Sequence, residues 1–380
     1  MDSFDDFIAP VTREQFEAEY AGRKPLHIPA SADHPNRAAL LSWSEMNGLL
    51  AQSSIWTPTS LKMVFNNEPI DPAAYCSPIH IHGGLRSQPQ PGKMNGLLAM
   101  GASLIAEDAQ YLTPALRTAS RTLSHEFAAL VAVNIYCSFK GVQAFGPHFD
   151  LHDVFAVQTE GEKIWRLYAN QADRPVGYPE FDDPRQTRQW LNQTKGDLVS
   201  EVRMRPGDVL YVPRGWYHDA IAVDGASLHA TFSVTPLYGR LLFSLLETAA
   251  MQDPAFRAWL PAAARNNGAD LSEMLSDLGR RLAELAAGPG IHDEVAMAQQ
   301  KLQPRDAGFD LPRQPALTLL RRTGMPGPMI KGLGGQVVEW ALTQPQVALE
   351  DMIAQFDFIP ETVVRDAIDA CRQSGALKPV

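Results

Sequence analysis

The chain has 380 residues, 45% of them hydrophobic, and a formal net charge of -10 at pH 7. This composition excludes a wholly disordered chain, and the length allows two or three domains with buried cores. The acidic balance argues against a nucleic-acid-binding surface, which needs clustered Lys and Arg, and it suits a basic protein or peptide partner.

The cysteines and the N-terminus indicate a cytoplasmic protein. Cys76, Cys137 and Cys371 are far apart and odd in number, which fits neither a disulfide framework nor a zinc site. The acidic start MDSFDDFIAP lacks the basic and apolar regions of an export signal, and no apolar run reaches the length of a membrane span. We therefore expect no export and no membrane partner.

The first elements alternate helix and strand. Thr12 is placed to cap a helix in REQFEAEYAGR, which Gly22 ends, and the prolines around residues 24–29 predict a short strand at a sheet edge. A helix over residues 40–52 follows, and then a strand from Leu61 that runs into a turn. These elements would support a central barrel.

The stretch IHIHGG places His80 and His82 on one face of a strand. No acid or third ligand follows at strand spacing. A position in a loop or a contact with the substrate is therefore favoured over a metal role for this pair. The next segment, GGLRSQPQPGKMNG, is rich in Gly, Pro and Gln, and it predicts a long mobile loop that covers the substrate.

A helix is predicted within residues 106–131, with Leu123, Phe127 and Leu130 on one side, and a strand follows in VAVNIYCSF. Alternation in this strand puts Asn134, Tyr136 and Ser138 on one face. A polar face in an apolar sheet predicts the lining of a barrel. The alternative is that these groups hydrogen-bond to each other or to water.

The central motif combines PHFD with GDVLYVPRGWYH. His148 and Asp150 project to the same side of an extended strand, and a Pro-Arg-Gly turn delivers His218. Two imidazoles and one carboxylate on a rigid sheet form the facial triad that suits non-haem Fe(II), with three positions left open.

Lys163 begins the strand KIWRLY and shares a face with Trp165 and Leu167. An inward lysine without a partner would be costly to keep charged, so it implies a bound anion such as a dicarboxylate cosubstrate. In SLHATFSVT the residues His229, Thr231, Ser233 and Thr235 share one face, which makes His229 a pocket residue and not a fourth ligand. His152 is expected at the mouth of the site or in solvent.

The motifs PHFD, GEKIWRLY, GDVLYVPRGWYH and SLHATFSV resemble the cupin and JmjC-type 2-oxoglutarate oxygenases, most closely the ribosomal-oxygenase branch. The resemblance implies a double-stranded β-helix, with His148, Asp150 and His218 as iron ligands. It also implies that Lys163 binds the distal carboxylate of 2-oxoglutarate and that three polar side chains surround the cosubstrate: Asn134, Tyr136 and Thr231. The cofactors would be Fe(II), 2-oxoglutarate and O2.

The activity implied by the resemblance is hydroxylation of a protein side chain, such as an Arg or His of a ribosomal protein. The same chemistry on another peptide or on a small metabolite, and demethylation, remain alternatives. A cupin that binds metal without this reaction is a third reading, in which Lys163 would be solvated or paired with an acid.

After Pro236 the sequence becomes helical. RLLFSLLETAAM and PAFRAWL predict helices, and Asp270 with Glu273 predicts the cap of an amphipathic helix that Gly288 ends. Its apolar stripe must be covered, and the resemblance favours a helical region that forms a homodimer. The stripe consists of Leu271, Met274, Leu275, Leu278, Leu282 and Leu285.

The last segment predicts a winged-helix-like unit with helices in GQVVEWAL, VALEDMIAQF and PETVVRDAIDACRQS. The last helix is rich in acid, so DNA binding is not expected. The predicted fold class is therefore α+β: a JmjC catalytic domain over residues 1–236, a helical region over 237–310 and a winged-helix-like domain over 311–380.

Overall fold

The computed structural model describes residues 1–34, 36–81, 83–139, 145–223, 225–304 and 318–380. The chain forms two compact units, Met1–Arg305 and Asp306–Val380. The first unit therefore contains the residues of the predicted helical region up to 304 as well as the predicted catalytic domain.

Sixteen strands lie in the described ranges. They are β1 (Leu26–Ile28), β2 (Leu61–Phe65), β3 (Glu68–Pro69), β4 (Cys76–Ile81), β5 (Gly84–Pro89), β6 (Ser103–Ala106), β7 (Ala129–Phe139), β8 (Asp153–Glu160), β9 (Lys163–Gln171), β10 (Leu198–Met204), β11 (Val209–Val212), β12 (Trp216–Ala222), β13 (Ala226–Pro236), β14 (Leu319–Arg322), β15 (Gln346–Ala348) and β16 (Leu377–Pro379).

Thirteen α-helices lie in the same ranges. They are α1 (Phe4–Ile8), α2 (Arg13–Glu19), α3 (Trp43–Ala51), α4 (Pro72–Tyr75), α5 (Pro91–Ala99), α6 (Pro114–Phe127), α7 (Pro184–Thr194), α8 (Leu241–Ala250), α9 (Ala269–Ala287), α10 (Pro289–Leu302), α11 (Leu333–Thr343), α12 (Leu349–Gln355) and α13 (Glu361–Gln373). No helix in the described ranges combines the length and the apolar composition needed to cross a bilayer.

Two antiparallel sheets build the barrel. The larger has the order β1-β11-β8-β13-β7-β6-β2-β3, and the smaller has the order β10-β9-β12. Trp165 and Leu167 of the smaller sheet pack against Val154 and Ala156 of the larger sheet. The opposite face of the larger sheet is covered by the N-terminal helices and α6, so both faces are buried as in a jelly roll.

Several predicted elements are confirmed. The Thr12 side chain accepts a hydrogen bond from the Gln15 amide at the start of α2. Strand β1 lies at the edge of the large sheet. The strands predicted in VAVNIYCSF and SLHATFSVT are β7 and β13, which pair along their whole lengths.

Other predictions were wrong in part. The predicted mobile loop after Gly83 is instead the second strand of a hairpin, β5, followed by α5, because β5 pairs with β4 over six residues. His80 is exposed on that hairpin, and His82 lies outside the described residues. Leu130 belongs to strand β7, since Ala128 adopts a left-handed conformation that ends α6.

The helical region also differs from the prediction. The N-cap of α9 is Gly268, and no side chain caps the helix, so Asp270 lies in its first turn. The segment around Phe256 forms only a short 3-10 turn. Gly288 does end α9, but Pro289 immediately starts α10, because proline is well suited to the first turn of a helix. Helix α7 and strand β10 were not predicted.

The second compact unit has its own core. Strands β15, β14 and β16 form a small antiparallel sheet in that order, and three helices accompany it. Val364 and Ile368 of α13 are buried in the core together with Val337 of α11.

Candidate active site

The three predicted metal ligands come together. Ligand atoms of His148, Asp150 and His218 all lie within 4.8 Å of one another. The Asp150 carboxylate is 4.0 Å from Nε2 of His148 and 3.5 Å from Nε2 of His218. The predicted triad is therefore assembled by the fold.

Backbone acceptors fix the tautomer of both imidazoles. Nδ1 of His148 lies 2.9 Å from the carbonyl oxygen of Gly146, and Nδ1 of His218 lies 2.9 Å from that of Trp216. A carbonyl only accepts, so each Nδ1 carries the proton and donates it. This leaves the lone pair of each Nε2 available to a metal, an arrangement typical of metal-binding histidines.

The protonation states of His218 and Asp150 favour metal binding. Burial, followed by the nearby His148, lowers the pKa of His218 to about 4, so its imidazole is neutral at pH 7. Burial alone would raise the pKa of Asp150, but His218, His148 and His152 bring it below its usual value. Neutral imidazoles and an ionised carboxylate are the forms that bind a cation.

A turn and a half-buried acid hold the ligands in place. The Gly215 amide donates to the carbonyl oxygen of Asp150 at 2.9 Å, and the Arg214 amide donates to Asp153 at 2.8 Å. Asp153 also accepts a hydrogen bond from the Tyr211 hydroxyl. Asp153 thus ties the strand after Asp150 to the turn before His218.

Lys163 lies inside the barrel, with 4% of the residue exposed. Its Nζ donates to the Ser138 hydroxyl at 3.1 Å, and no carboxylate among the described residues forms an ion pair with it. Burial lowers the pKa of Lys163 to about 7. An ammonium group with three donors and one hydroxyl partner leaves room for an anion.

One cavity of about 140 Å³ contains the predicted site residues. Its lining includes all seven of them: His148, Asp150, His218, Lys163, Asn134, Tyr136 and Thr231. His152 and Ser233 also line it. Trp165 of β9 also lines this cavity. Tyr217, which follows the Pro-Arg-Gly turn, is instead buried against Phe149.

His229 lines the cavity and is stacked on Tyr136, with ring centroids 4.9 Å apart. Four buried polar atoms of lining residues have no hydrogen-bond partner among the described residues: Nδ1 of His152, Nδ1 of His229, Nε1 of Trp165 and Oγ1 of Thr231. Such orphaned groups are costly unless a ligand or water satisfies them. The Ser138 contact with Lys163 was not anticipated as a site contact, although alternation had placed Ser138 on the polar face.

Comparison with known proteins agrees with this fold. Residues 109–240 match the model of the JmjC domain. The X-ray structure of E. coli ycfD has a similar fold, with a TM-score of 0.50 and 16% identity over 97% of this chain and 98% of that one.

Two curated relatives illustrate the similarity in sequence. The bifunctional lysine-specific demethylase and histidyl-hydroxylase NO66 of Drosophila persimilis is 30% identical over 229 residues, which are 60% of this chain and 30% of that protein. Ribosomal oxygenase 1 of Gallus gallus is 26% identical over 261 residues, which are 67% of this chain and 41% of that protein. The chain thus spans less than half the length of both relatives.

Proposed function

We propose that the chain is an Fe(II)- and 2-oxoglutarate-dependent oxygenase that hydroxylates an Arg or His side chain of a ribosomal protein. The observation that carries the proposal is the presence, in one cavity, of a His-Asp-His cluster and a buried lysine that has no acid partner within the described ranges. The names of the relatives, histidyl-hydroxylase and ribosomal oxygenase, support the reaction class and the substrate.

The donor set fits the proposed metal and cosubstrate. His148, Asp150 and His218 would hold Fe(II) on one side, and the remaining positions would be open to 2-oxoglutarate and O2. The bound iron would supply oxidative decarboxylation of 2-oxoglutarate to succinate and carbon dioxide, with one oxygen atom passed to a C–H bond of the substrate.

The residues of the chain would bind and orient the cosubstrate. Lys163 would donate to its distal carboxylate, and the unsatisfied Thr231 hydroxyl and Trp165 indole N–H are available as further donors. Asn134 and Tyr136 line the same wall. The Trp165 ring, 5.5 Å from the His218 ring and stacked on it, would exclude water beside the metal.

Succinate formation tests the reaction. Purified protein is mixed with Fe(II), ascorbate and 2-oxoglutarate, with and without a ribosomal protein extract, and the extract is then searched by mass spectrometry for gains of one oxygen. We expect succinate and an Arg or His that has gained oxygen. Loss of a methyl group instead would favour demethylation, which also appears in the name of one relative. Absence of both succinate and 2-oxoglutarate binding would contradict the proposal.

The proposal includes a cytoplasmic homodimer. Cys76, Cys137 and Cys371 are free and buried, which suits a reducing compartment. No residue of α9 is buried within the described chain, although the helix carries an apolar stripe, and a second copy would cover it. Light scattering on the purified chain is expected to give twice the mass of one chain, and a monomer would contradict the dimer.

We also propose that residues 1–236, 237–310 and 311–380 act as a catalytic domain, a dimerisation region and a winged-helix-like domain. The three helices and small sheet of the last unit support its assignment. Arg365 and Arg372 of α13 are already paired with Glu361 and Asp369, which disfavours phosphate contacts and DNA binding.

A further inference from the structure

The floor of the cavity continues out of the barrel along two paired strands. On one face of β7 and β13, the pairs from the interior outwards are Tyr136 with His229, Asn134 with Thr231, Ala132 with Ser233, and Leu130 with Thr235. The exposed fraction is 3% at His229 and 8% at Ser233, but Thr235 is exposed and Leu130 reaches 55%. The cavity therefore opens at the Leu130 end.

Two further cavities extend from this opening. A cavity of about 470 Å³ shares His152 with the metal cavity. A third, of about 670 Å³, shares Thr235, Pro236 and Tyr238 with the second. Each cavity thus shares lining residues with the next, and we refer to the path that they outline, from His152 to Phe243, as the groove. At its inner end, Nδ1 of His152 is buried and has no hydrogen-bond partner among the described residues.

The outer end of the groove is apolar. Leu130 and Phe243 line it, with 55% and 76% of each residue exposed, and Leu241 lies beside them. Large apolar side chains at the end of a groove that leads to a reactive cavity are typical of a binding site for part of a ligand. Helix α8 of the helical region thus contributes to this groove.

We propose that the groove binds an extended segment of the polypeptide substrate, with an apolar side chain of that segment seated on Leu130 and Phe243. Thr231 and Thr235 are four residues apart on one strand, about 13 Å, which an extended peptide covers in about four residues. The apolar residue would therefore lie within about four residues of the hydroxylated one. This inference rests on the proposed function.

The groove favours a polypeptide over the other occupants. A small metabolite that reaches the metal would leave the two outer cavities and the apolar end unfilled. A second copy of this chain seated on Phe243 would cover part of the entrance to the metal cavity. A polypeptide can enter with one side chain and continue along the rest of the groove.

Substitution of the apolar end tests the inference. Phe243→Ser and Leu130→Ser are compared with the wild type and with Phe358→Ser, a control because Phe358 is 69% exposed, lies outside residues 237–310 and is not among the residues that line the groove. The probe is an acid extract of ribosomal proteins, and the readout is oxygen gain by mass spectrometry. At limiting extract we expect the rate to fall about 10-fold in the two groove variants and to recover at saturating extract. The control should match the wild type.

Four results would overturn the inference. Groove variants that add oxygen at the wild-type rate would show that the apolar end has no specific role. A control variant whose rate falls as much as theirs would show the same. A Phe243→Ser variant that turns a dimer into a monomer in light scattering would assign Phe243 to an interface between copies. A wild type that makes succinate but adds no oxygen to the extract would exclude this occupant. Failure of the wild type to bind 2-oxoglutarate would instead contradict the proposed function, and binding measured for each variant shows that it is folded.

Discussion

The backbones of His148 and His218 are hydrogen-bonded to each other in both directions. The His148 amide donates to the His218 carbonyl at 3.0 Å, and the His218 amide donates to the His148 carbonyl at 2.8 Å. The two imidazole centroids lie 4.5 Å apart as a result. Residues far apart in the sequence are thus held in register by main-chain bonds.

Gly215→Ala is predicted to weaken metal binding and stability. Gly215 has φ +83°, and an added Cβ would lie 2.2 Å from the carbonyl oxygen of Ala172. The turn that delivers His218 would have to shift. We expect the free energy of unfolding to fall by several kcal/mol, because the steric clash and the left-handed backbone conformation both disfavour alanine. Thermal unfolding and Mn(II) titration measure both effects.

Gly22→Ala is the matched control for this change. Gly22 also has a positive φ, +67°, but an added Cβ would have nothing within 4 Å. We expect the free energy of unfolding to fall by only about 1–2 kcal/mol, because of the backbone conformation, and the Mn(II) affinity to stay unchanged. Equal loss of metal affinity in both variants would argue against a specific role for the Gly215 turn.

Asp150→Ala is predicted to abolish metal-dependent succinate formation. The change removes the only carboxylate of the described ligand cluster and leaves two imidazoles. A loss of at least about 100-fold in metal affinity is expected, because even the groups that support metal ligands contribute 10–100-fold. Asp33→Ala, at an exposed position, should retain full activity. Retained activity in Asp150→Ala would show that the metal site lies elsewhere.

Lys163→Met is predicted to raise the 2-oxoglutarate requirement while leaving metal binding intact. Methionine keeps the apolar stem but removes the ammonium group that faces the cavity. Loss of a charge-assisted hydrogen bond to a carboxylate corresponds to about 1.5–3 kcal/mol, or roughly 10- to 150-fold in KM for 2-oxoglutarate. Succinate formation at varied 2-oxoglutarate measures KM. An unchanged KM would mean that Lys163 does not contact the cosubstrate.

The stability of the metal-free protein is predicted to rise with pH between about 7 and 10.5. The Lys163 pKa is about 7 in the folded chain and 10.5 for an unperturbed lysine, so over this window the unfolded state holds a proton that the folded state has lost. The Lys163→Met variant lacks this pH-dependent contribution to the free energy of unfolding. Its unfolding midpoint should exceed that of the wild type most at pH 6, where the buried charge is fully present, and the difference should shrink by pH 9. A constant difference would show that Lys163 is not desolvated.

The sequence was informative where a residue's role depends on alternation along one strand. Asn134, Tyr136 and Thr231 were predicted on inward faces, and their strands do direct them into one cavity. The spacing of His148 and Asp150 directs both side chains into the cavity for the same reason. Such patterns need no knowledge of the partner strand.

Features that depend on pairing between distant segments were not predicted. Strand β5 was predicted as a loop because its Gly and Pro residues hide the strand signal, and only its pairing with β4 reveals it. Strand β10 was missed because most of its side chains are exposed, which weakens the apolar alternation. The orphaned Nε1 of Trp165 and the Asp153 link to the Arg214 turn also follow only from coordinates.

Anaerobic equilibrium dialysis with Fe(II) and labelled 2-oxoglutarate tests the central claim most directly, because it measures the two ligands of one cavity without requiring a protein substrate. We predict that the wild type binds one of each, that Asp150→Ala loses the metal and most of the 2-oxoglutarate, and that Lys163→Met retains the metal but binds 2-oxoglutarate roughly 10- to 150-fold more weakly. A wild type that binds no 2-oxoglutarate, or binds it equally well in all three proteins, would contradict a shared metal and cosubstrate cavity.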